Sequence, residues 1–307
     1  MYDIKLKKSI TTSVVLLLVG ALLFQFASGI VAVVMRFGGD VEAISRVKLL
    51  LVISITSLAT FVGSAWFFSL TSMKEGINGF SFGTKKDISK YFRLIFFMAL
   101  LAMPISIYLG ELYQAIPFPD FMSSLIEWSE KMEADNMALM KKMLYVTSFG
   151  SMLVNVVVIA LIPAFGEELV FRGIIQRLVY NKSHKIHRSV WIAAIIFSVL
   201  HFELSGLLPR IFLGAMLGYI YFYTGSLWCS IWAHFINNAT IAIFTYFGTI
   251  GVFNIDILES DFPLAQLSGY MMMAVVLFVP ACRSFYAKRK VIDNKNQDLS
   301  LDENFNE

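Results

Sequence analysis

Apolar runs long enough to cross a membrane recur along the whole chain of 307 residues. An α-helix needs about 20 residues to cross a hydrocarbon core roughly 30 Å thick. On that criterion the pattern predicts an all-α, polytopic membrane helix bundle with about eight transmembrane helices. The predicted spans lie near residues 11–35, 49–72, 93–110, 145–165, 189–203, 207–223, 227–250 and 265–282.

The composition also predicts a membrane protein, with the lipid bilayer as its surroundings. Hydrophobic residues make up 57% of the chain and charged residues 15%, whereas a soluble domain is roughly half apolar and about a quarter charged. The net charge of +3 includes no basic block suited to nucleic acid, so we expect no nucleic-acid partner. Cys229 and Cys282 lie in apolar runs without metal-ligand spacing, which predicts two buried thiols.

The positions of lysine and arginine predict the orientation of the bundle. Basic residues precede the first span and follow the second, fourth and eighth spans, so they fall on one side of an eight-span bundle. Arg36, Arg46, Lys48 and Arg210 depart from this trend. Since basic loops stay in the cytoplasm, we expect both termini there. We also expect the plasma membrane of a bacterium, because the chain is compact and lacks eukaryotic-style extensions.

One membrane domain is predicted for residues 1–282, followed by a polar, disordered cytoplasmic tail of residues 283–307. On the side opposite the basic loops, residues 121–143 place apolar side chains at helical spacing among charges. This pattern predicts an amphipathic helix on the outer membrane surface. Such a helix could be a cap over the bundle or a gate for a substrate.

A few polar residues interrupt the apolar sequence of the second half of the chain. Polar groups are costly in hydrocarbon, and they usually face the interior of a helix bundle. Three clusters of this kind stand out on three candidate helices. They are Glu167, Glu168 and Arg172; His201, one turn after Phe197; and His234 with Asn238.

The spacing within these clusters predicts which side chains share a helix face. Glu168 and Arg172 are four residues apart, so they can pair on one face. Glu167 points about 100° away from that face and has no local partner, which predicts a carboxyl group poised to act as a base. His234 and Asn238 are also four residues apart. A carboxylate, two imidazoles and an amide could therefore converge between three helices.

These groups are suited to the hydrolysis of an amide bond. A carboxylate and an imidazole can hold and deprotonate water, while a second imidazole and a carboxamide can donate hydrogen bonds to the resulting oxyanion. Alternatively, Glu167, His201 and His234 could bind zinc, with metal-bound water as the nucleophile. No serine fits the strand-to-helix elbow of GxSxG hydrolases, and there is no HExxH helix.

Each cluster taken alone also has a simpler explanation. The EExxxR cluster could be an interfacial salt bridge with a snorkelling arginine, and each histidine could make a hydrogen bond between helices. Transporters place glutamate and histidine in membrane cores as proton relays, although the chain has no recognisable inverted repeat. Residue chemistry alone leaves hydrolase and transporter both open.

Taken together, the clusters resemble the motifs of the CPBP family, which comprises the CAAX prenyl proteases and the related bacterial Abi proteins. In the order found in that family, the motifs are Glu167-Glu168-x-x-x-Arg172, Phe197-x-x-x-His201 and His234-x-x-x-Asn238. They occupy a motif core of about residues 145–250, roughly a third of the chain. The resemblance implies an intramembrane endopeptidase whose active site opens towards the cytoplasm.

The resemblance also implies a role for each motif residue. Glu167 and His201 would activate water, and His234 and Asn238 would bind the scissile carbonyl and its oxyanion. The second glutamate and the arginine of the first motif would orient the site. The substrate would be a membrane-associated protein or peptide. The alternative is a non-proteolytic membrane scaffold or bacteriocin-immunity protein of the same fold.

The resemblance leaves the cofactor undecided. The family has been described both as metal-dependent and as a glutamate-type hydrolase. The expected cofactor is therefore either none or a divalent metal such as zinc, bound by Glu167, His201 and His234. The amide of Asn238 is a poor zinc ligand, which favours the absence of a tightly bound structural metal.

One geometric difficulty concerns the depth of these residues in the membrane. His201 follows Arg188 by thirteen residues, which is about 20 Å along a straight helix. Glu167 comes just after the predicted end of the fourth span. Because Pro163 can kink or break a helix, we expect a break there that lets the glutamates re-enter the bundle.

Overall fold

The computed structural model of the chain describes residues 4–36, 45–83, 85–254 and 268–284. The helices in these ranges are α1 (Ile10–Arg36), α2 (Arg46–Ser72), α3 (Lys85–Gln114), α4 (Ser123–Leu144), α5 (Phe149–Ser183), α6 (Ile186–Val199), α7 (Leu207–Thr224), α8 (Leu227–Thr249) and α9 (Ser268–Ser284). In the same ranges, the β contacts amount to one antiparallel bridge between Leu6 and Met73. The predicted all-α fold is confirmed.

Six of these helices are long and apolar enough to cross a membrane, namely α1, α2, α3, α5, α7 and α8. The apolar helices α6 and α9 are shorter than a full span. The chain is thus a helical membrane bundle, but the predicted count of eight complete crossings is not confirmed. Apart from Arg283 and Ser284, the predicted tail of residues 283–307 lies outside the described residues. Its separation from the membrane domain stays a prediction.

The predicted end of the fourth span and the predicted break at Pro163 are both wrong. Helix α5 continues for 35 residues through both glutamates. Pro163 directly follows a π-helical segment, Val156–Leu161, and is the second residue of the α-helical segment Ile162–Val170. Proline has no N–H to donate to the preceding turn. The π-helical hydrogen bonds before it allow for this missing bond, so the helix continues. Glu167 precedes Ser183 by sixteen residues, which places it about 24 Å from the helix end.

Helix α5 lies in the centre of the bundle. Phe171 and Ile174 on this helix are at most 1% exposed and belong to one apolar cluster with Phe68, Phe197 and Tyr221. The partners come from α2, α6 and α7, so large side chains surround this part of α5 on several sides. The polar groups of α5 at this level are therefore shielded from lipid.

Two glycines let α7 come close to its neighbours. A Cβ added at Gly214 would lie 3.0 Å from the Cα atom of Ala194 on α6, and one added at Gly218 would lie 2.8 Å from Oε1 of Gln176 on α5. Small residues on α7 thus allow close approach between helices. The bare backbone also lets Gln176 Nε2 donate to the carbonyl of Gly218 at 3.1 Å.

Helix α4 covers the connection between α6 and α7. The backbone N–H of Leu204 donates to Ser129 Oγ at 2.9 Å, and Asn136 Nδ2 donates to Glu203 Oε1 at 2.8 Å. The amphipathic helix predicted for residues 121–143 is thus present. It lies at the end of the bundle where α3 ends at Gln114.

The amino-terminal segment lies at the opposite end of the bundle. The backbone N–H of Lys7 donates to the carbonyl of Ser72 at 2.7 Å, and Asn181 Nδ2 donates to the carbonyl of Ile4 at 2.7 Å. Helices α2 and α5 therefore end beside this segment. The 30 residues of α3, about 45 Å of helix, separate this end from α4.

Arg46, one of the exceptions to the charge trend, joins three helices. Its guanidinium donates to the carbonyls of Met143 and Ser151 at 3.2 Å each and to Asn155 Oδ1 at 2.7 Å. These bonds connect the start of α2 to the end of α4 and the start of α5. A structural role explains why this base departs from the charge trend.

We predict that Arg46→Ala lowers the free energy of unfolding by about 2 kcal/mol, because it removes charge-assisted hydrogen bonds to three partners. The measurement is detergent-denaturant titration of the purified protein in mixed micelles. Lys48→Ala, which removes a neighbouring exposed base, is the control and leaves stability within about 0.5 kcal/mol. Equal stability of the two variants would contradict the structural role of Arg46.

Candidate active site

Four helices enclose a cavity of about 240 Å³ that contains the predicted catalytic set. Glu167 reaches it from α5, His201 from the end of α6, and His234 and Asn238 from α8. Helix α7 supplies a mostly apolar wall. The structure thus brings together all four residues that were predicted to act on a substrate.

Glu168 and Arg172 lie behind the cavity, fully buried, and form an ion pair. Arg172 Nη1 donates to Glu168 Oε1 at 2.6 Å, and both side chains are 0% exposed. The other branch of the guanidinium, Nη2, donates to the carbonyl of Gly214 at 2.8 Å. The pairing predicted from the spacing of four residues is present, and it ties α5 to α7. A snorkelling arginine is ruled out by this burial.

His234 lies between the two glutamates. Its Nδ1–H donates to Glu168 Oε1 at 2.9 Å, because a carboxylate can only accept. Its Nε2 lies 3.8 Å from Glu167 Oε2. Glu168 therefore sets the orientation of the ring and directs the second ring nitrogen towards Glu167. The sequence suggested a pairing of Glu168 with Arg172 but no contact between Glu168 and His234.

His201 is oriented by the backbone of its own helix end. Its Nδ1 lies 2.8 Å from the carbonyl oxygen of Phe197, which requires a proton on Nδ1. In the neutral ring, Nε2 then carries the lone pair and can accept a proton. The chain turns directly after this residue, since Phe202 adopts a left-handed φ of 57°. This conformation is costly for a residue other than glycine, and it ends α6 at the cavity.

Phe197 packs against both histidines and the buried arginine. Its ring centroid lies 4.8 Å from that of His201 and 6.0 Å from that of His234. The guanidinium carbon of Arg172 lies 5.2 Å from the same centroid. The aromatic residue of the second motif therefore holds apart the two imidazoles and covers the ion pair.

Asn238 lines the cavity beside a second amide. Asn237 Nδ2 donates to Asn238 Oδ1 at 3.3 Å. With its oxygen accepting this bond, Asn238 keeps its own NH₂ group as a donor. The sequence analysis named Asn238 and overlooked Asn237, for which the adjacent position in "INNA" was the only signal.

A vestibule of about 700 Å³ adjoins the catalytic cavity at the α4 end of the bundle. It is lined by α2, α3, α4 and the connection between α6 and α7, and Arg210 lines both spaces. The guanidinium of Arg210 is ion-paired with Glu203 and packs directly on Gly206. Arg210 is a functional candidate that the sequence analysis missed. An ionisable residue inside an apolar segment was the available signal.

Among the described residues, no three His, Cys, Asp or Glu side chains are arranged so that they could hold a metal ion. The predicted trio of Glu167, His201 and His234 is not arranged in this way either. The Nδ1 atoms of both histidines bond the protein itself, which leaves one nitrogen of each ring for other partners. The chain as arranged does not form a ready metal site, so no catalytic step is derived through a metal.

The GxSxG string of the chain, Gly79 to Gly83, lies in the connection between α2 and α3. Ser81 Oγ donates to the carbonyl of Gly225 at 2.7 Å, so its hydroxyl is used in a loop contact. Ser81 does not line the catalytic cavity. The serine therefore has a structural explanation.

Comparison with known proteins agrees with the motifs. Residues 149–240 match the family of type II CAAX prenyl endopeptidases described as Rce1-like. The matched segment contains all three motifs, and it covers 92 of the 307 residues of the chain. A stretch of 92 residues is 37% identical to the uncharacterized protein YpbD of Bacillus subtilis (strain 168). The match covers 29% of this chain and 44% of that relative, so the chain spans less than half of the relative's length. No solved structure matches the chain.

We predict that Arg172→Met lowers the free energy of unfolding by about 3–5 kcal/mol, because it leaves the carboxylate of Glu168 buried without its cationic partner. The double variant Glu168→Leu/Arg172→Met is expected to recover most of that loss, since it removes both charges. Detergent-denaturant titration measures both. Equal loss in the single and double variants would show that packing, and not the charge of Glu168, determines the effect.

Proposed function

We propose that this protein is an intramembrane endopeptidase of the CPBP type, which hydrolyses a peptide bond of a membrane-associated protein or peptide. The single observation that carries the proposal is that Glu167, His201, His234 and Asn238 line one cavity. The cavity provides a base, a second proton acceptor and two hydrogen-bond donors around a space large enough for a peptide group. The match of the motif segment to the Rce1-like family supports the same reaction.

Glu167 is the general base, and His201 assists it. A water molecule held between the Glu167 carboxylate and Nε2 of His201 loses a proton to Glu167 as its oxygen bonds to the carbonyl carbon of the substrate. The hydrogen bond from His201 Nδ1 to the Phe197 carbonyl supports this role, because it leaves the Nε2 lone pair to accept from the water.

His234 and Asn238 stabilise the oxyanion. Asn238 donates through Nδ2, and His234 donates through Nε2 when the ring is doubly protonated. Glu168 stabilises that imidazolium because it accepts from Nδ1 at 2.9 Å. When the tetrahedral intermediate collapses, the C–N bond breaks and Glu167 returns its proton to the leaving amine. Arg172 is a positioning residue that acts through Glu168.

The proposed setting is the bacterial plasma membrane, with both termini in the cytoplasm and a membrane domain that ends near residue 282. Under that orientation the vestibule faces away from the cytoplasm, because it lies at the end of the bundle opposite the amino-terminal segment. A cytoplasmic opening, which the family resemblance implied, is incompatible with entry through this vestibule. We therefore favour substrate entry from the non-cytoplasmic side, past Arg210.

We predict that Glu167→Gln, His201→Ala and Asn238→Ala each lower the rate of peptide cleavage at least about 100-fold. The assay uses the purified protein in detergent with a library of quenched fluorescent peptides, some carrying a C-terminal prenylated cysteine. Glu75→Gln, which removes an exposed carboxylate at the far end of the bundle, is the matched control and retains the wild-type rate.

Each assay is run with and without a zinc chelator. Cleavage that survives the chelator and is lost in Glu167→Gln supports glutamate chemistry, whereas cleavage lost with the chelator and restored by zinc assigns the nucleophile to a metal-bound water. Full cleavage by Glu167→Gln would overturn the proposed mechanism. A cell-based activity that survives both Glu167→Gln and His201→Ala would favour the non-proteolytic scaffold or immunity function.

Entry through the vestibule predicts a second result. A bulky maleimide on Met137→Cys, whose side chain lines the vestibule, is expected to reduce cleavage about tenfold or more by steric exclusion of the peptide. The same label on Glu127→Cys, exposed on the same helix, leaves cleavage unchanged.

In intact cells, a membrane-impermeant maleimide is expected to label Met137→Cys. Labelling only after lysis would reverse the proposed orientation.

A further inference from the structure

A second large crevice lies on the other side of α7 from the catalytic cavity. Its volume is about 590 Å³, within the range of small-molecule sites. Helices α3, α6, α7 and α9 form its walls, and the lining is almost entirely apolar. We call this space the α7 groove. The mechanism proposed above does not use it.

One face of α7 runs along the length of the α7 groove. The α7 residues that line it are Phe212, Ala215, Met216, Tyr219, Ile220 and Tyr223. Their spacing is that of a single helix stripe. Tyr223 follows Phe212 by eleven positions, which is about 16 Å of helix. That length matches one leaflet, which is about half of the roughly 30 Å hydrocarbon core.

The mouth of the α7 groove is polar and carries a cation. His187 lies there in the first turn of α6, Tyr219 and Tyr223 lie in the last turns of α7, and Arg283 lies in the last turn of α9. His187 Nδ1 and Tyr219 Oη are 2.6 Å apart, and the rings of Tyr219 and Tyr223 stack with centroids 6.2 Å apart. Tyrosines and basic residues at helix ends are typical of the membrane–water interface.

We propose that the α7 groove is a binding site for one anionic phospholipid of the leaflet at the amino-terminal end of the bundle. The acyl chain lies along the α7 stripe, and the headgroup phosphate accepts from the guanidinium of Arg283 and the hydroxyl of Tyr223. The charge of Arg283, the polar mouth and the leaflet-long apolar floor together fit this ligand. The acyl chain of a zwitterionic lipid also fits the apolar stripe, but its headgroup gains less binding free energy from the charge of Arg283.

The site would place lipid directly against the wall of the catalytic cavity. Met216 lines both the α7 groove and that cavity, and it is 6% exposed. One methionine side chain therefore separates a bound acyl chain from the space where a peptide would react. The phospholipid proposal does not depend on the proteolytic function, because binding can be measured without a substrate.

Trp191, which lines the α7 groove and is 46% exposed, supplies a reporter within the site. The full chain in nanodiscs is titrated with phosphatidylglycerol or phosphatidylcholine carrying brominated acyl chains, which quench tryptophan on contact. The quenching of Trp191 is obtained by subtracting the fluorescence quenching measured for Trp191→Phe from that measured for the wild type. We expect half-maximal quenching of Trp191 at a mole fraction of phosphatidylglycerol that is about fivefold lower than the fraction of phosphatidylcholine needed for the same effect. Trp66, 51% exposed on α2, reports bulk lipid and is expected to show no preference.

Arg283→Gln is expected to abolish the preference of the Trp191 signal for the anionic lipid. Arg188→Gln is the matched control, because Arg188 is exposed at the same end of the bundle and does not line the α7 groove. Equal quenching of Trp191 by both lipids, or an unchanged preference in Arg283→Gln, would overturn the proposal. Displacement of the brominated lipid by a prenylated peptide without any headgroup preference would assign the groove to a lipid-modified substrate instead.

Discussion

The buried ion pair of Arg172 and Glu168 is the interaction on which the arrangement of the site depends. Burying two charges costs several kcal/mol each, and their mutual attraction together with further hydrogen bonds must offset this cost. Arg172 therefore also bonds the carbonyl of Gly214, and Glu168 also accepts from His234. One pair on α5 thus determines where α7 and α8 can lie. Glycine at 214 permits the approach, since a Cβ there would crowd the backbone of α6.

The same constraint separates the roles of the two adjacent glutamates. Successive residues of a helix point about 100° apart, so burying Glu168 behind the cavity turns Glu167 into it. His234 connects the two, with one ring nitrogen on Glu168 and the other 3.8 Å from Glu167. The proposed base and the glutamate of the ion pair are therefore neighbours in sequence yet occupy different faces of α5. Helix α7, which this pair positions, contributes a wall to the catalytic cavity, the vestibule and the α7 groove.

Contacts within one helix could be predicted from the sequence, whereas contacts between helices could not. The pairing of Glu168 with Arg172 follows from a spacing of four residues, and the structure contains it. The continuation of α5 past Pro163 was predicted wrongly, because a π turn is a local adjustment that apolar patterning does not reveal. Arg210 and Asn237 were missed as well. Their place at the cavity depends on how α7 and α8 pack, and on the left-handed turn at Phe202.

The sequence by itself determined the helical membrane fold and the residue types that gather in the site. Hydrophobic length and intrahelical spacing are local properties, and polar groups in apolar helices have few stable positions other than the bundle interior. Only the tertiary structure decided the contact of Glu168 with His234, the orientation of His201 and the end of the bundle where the vestibule lies. These features depend on helix lengths, register and close approach between segments far apart in the chain, which no single stretch of sequence contains.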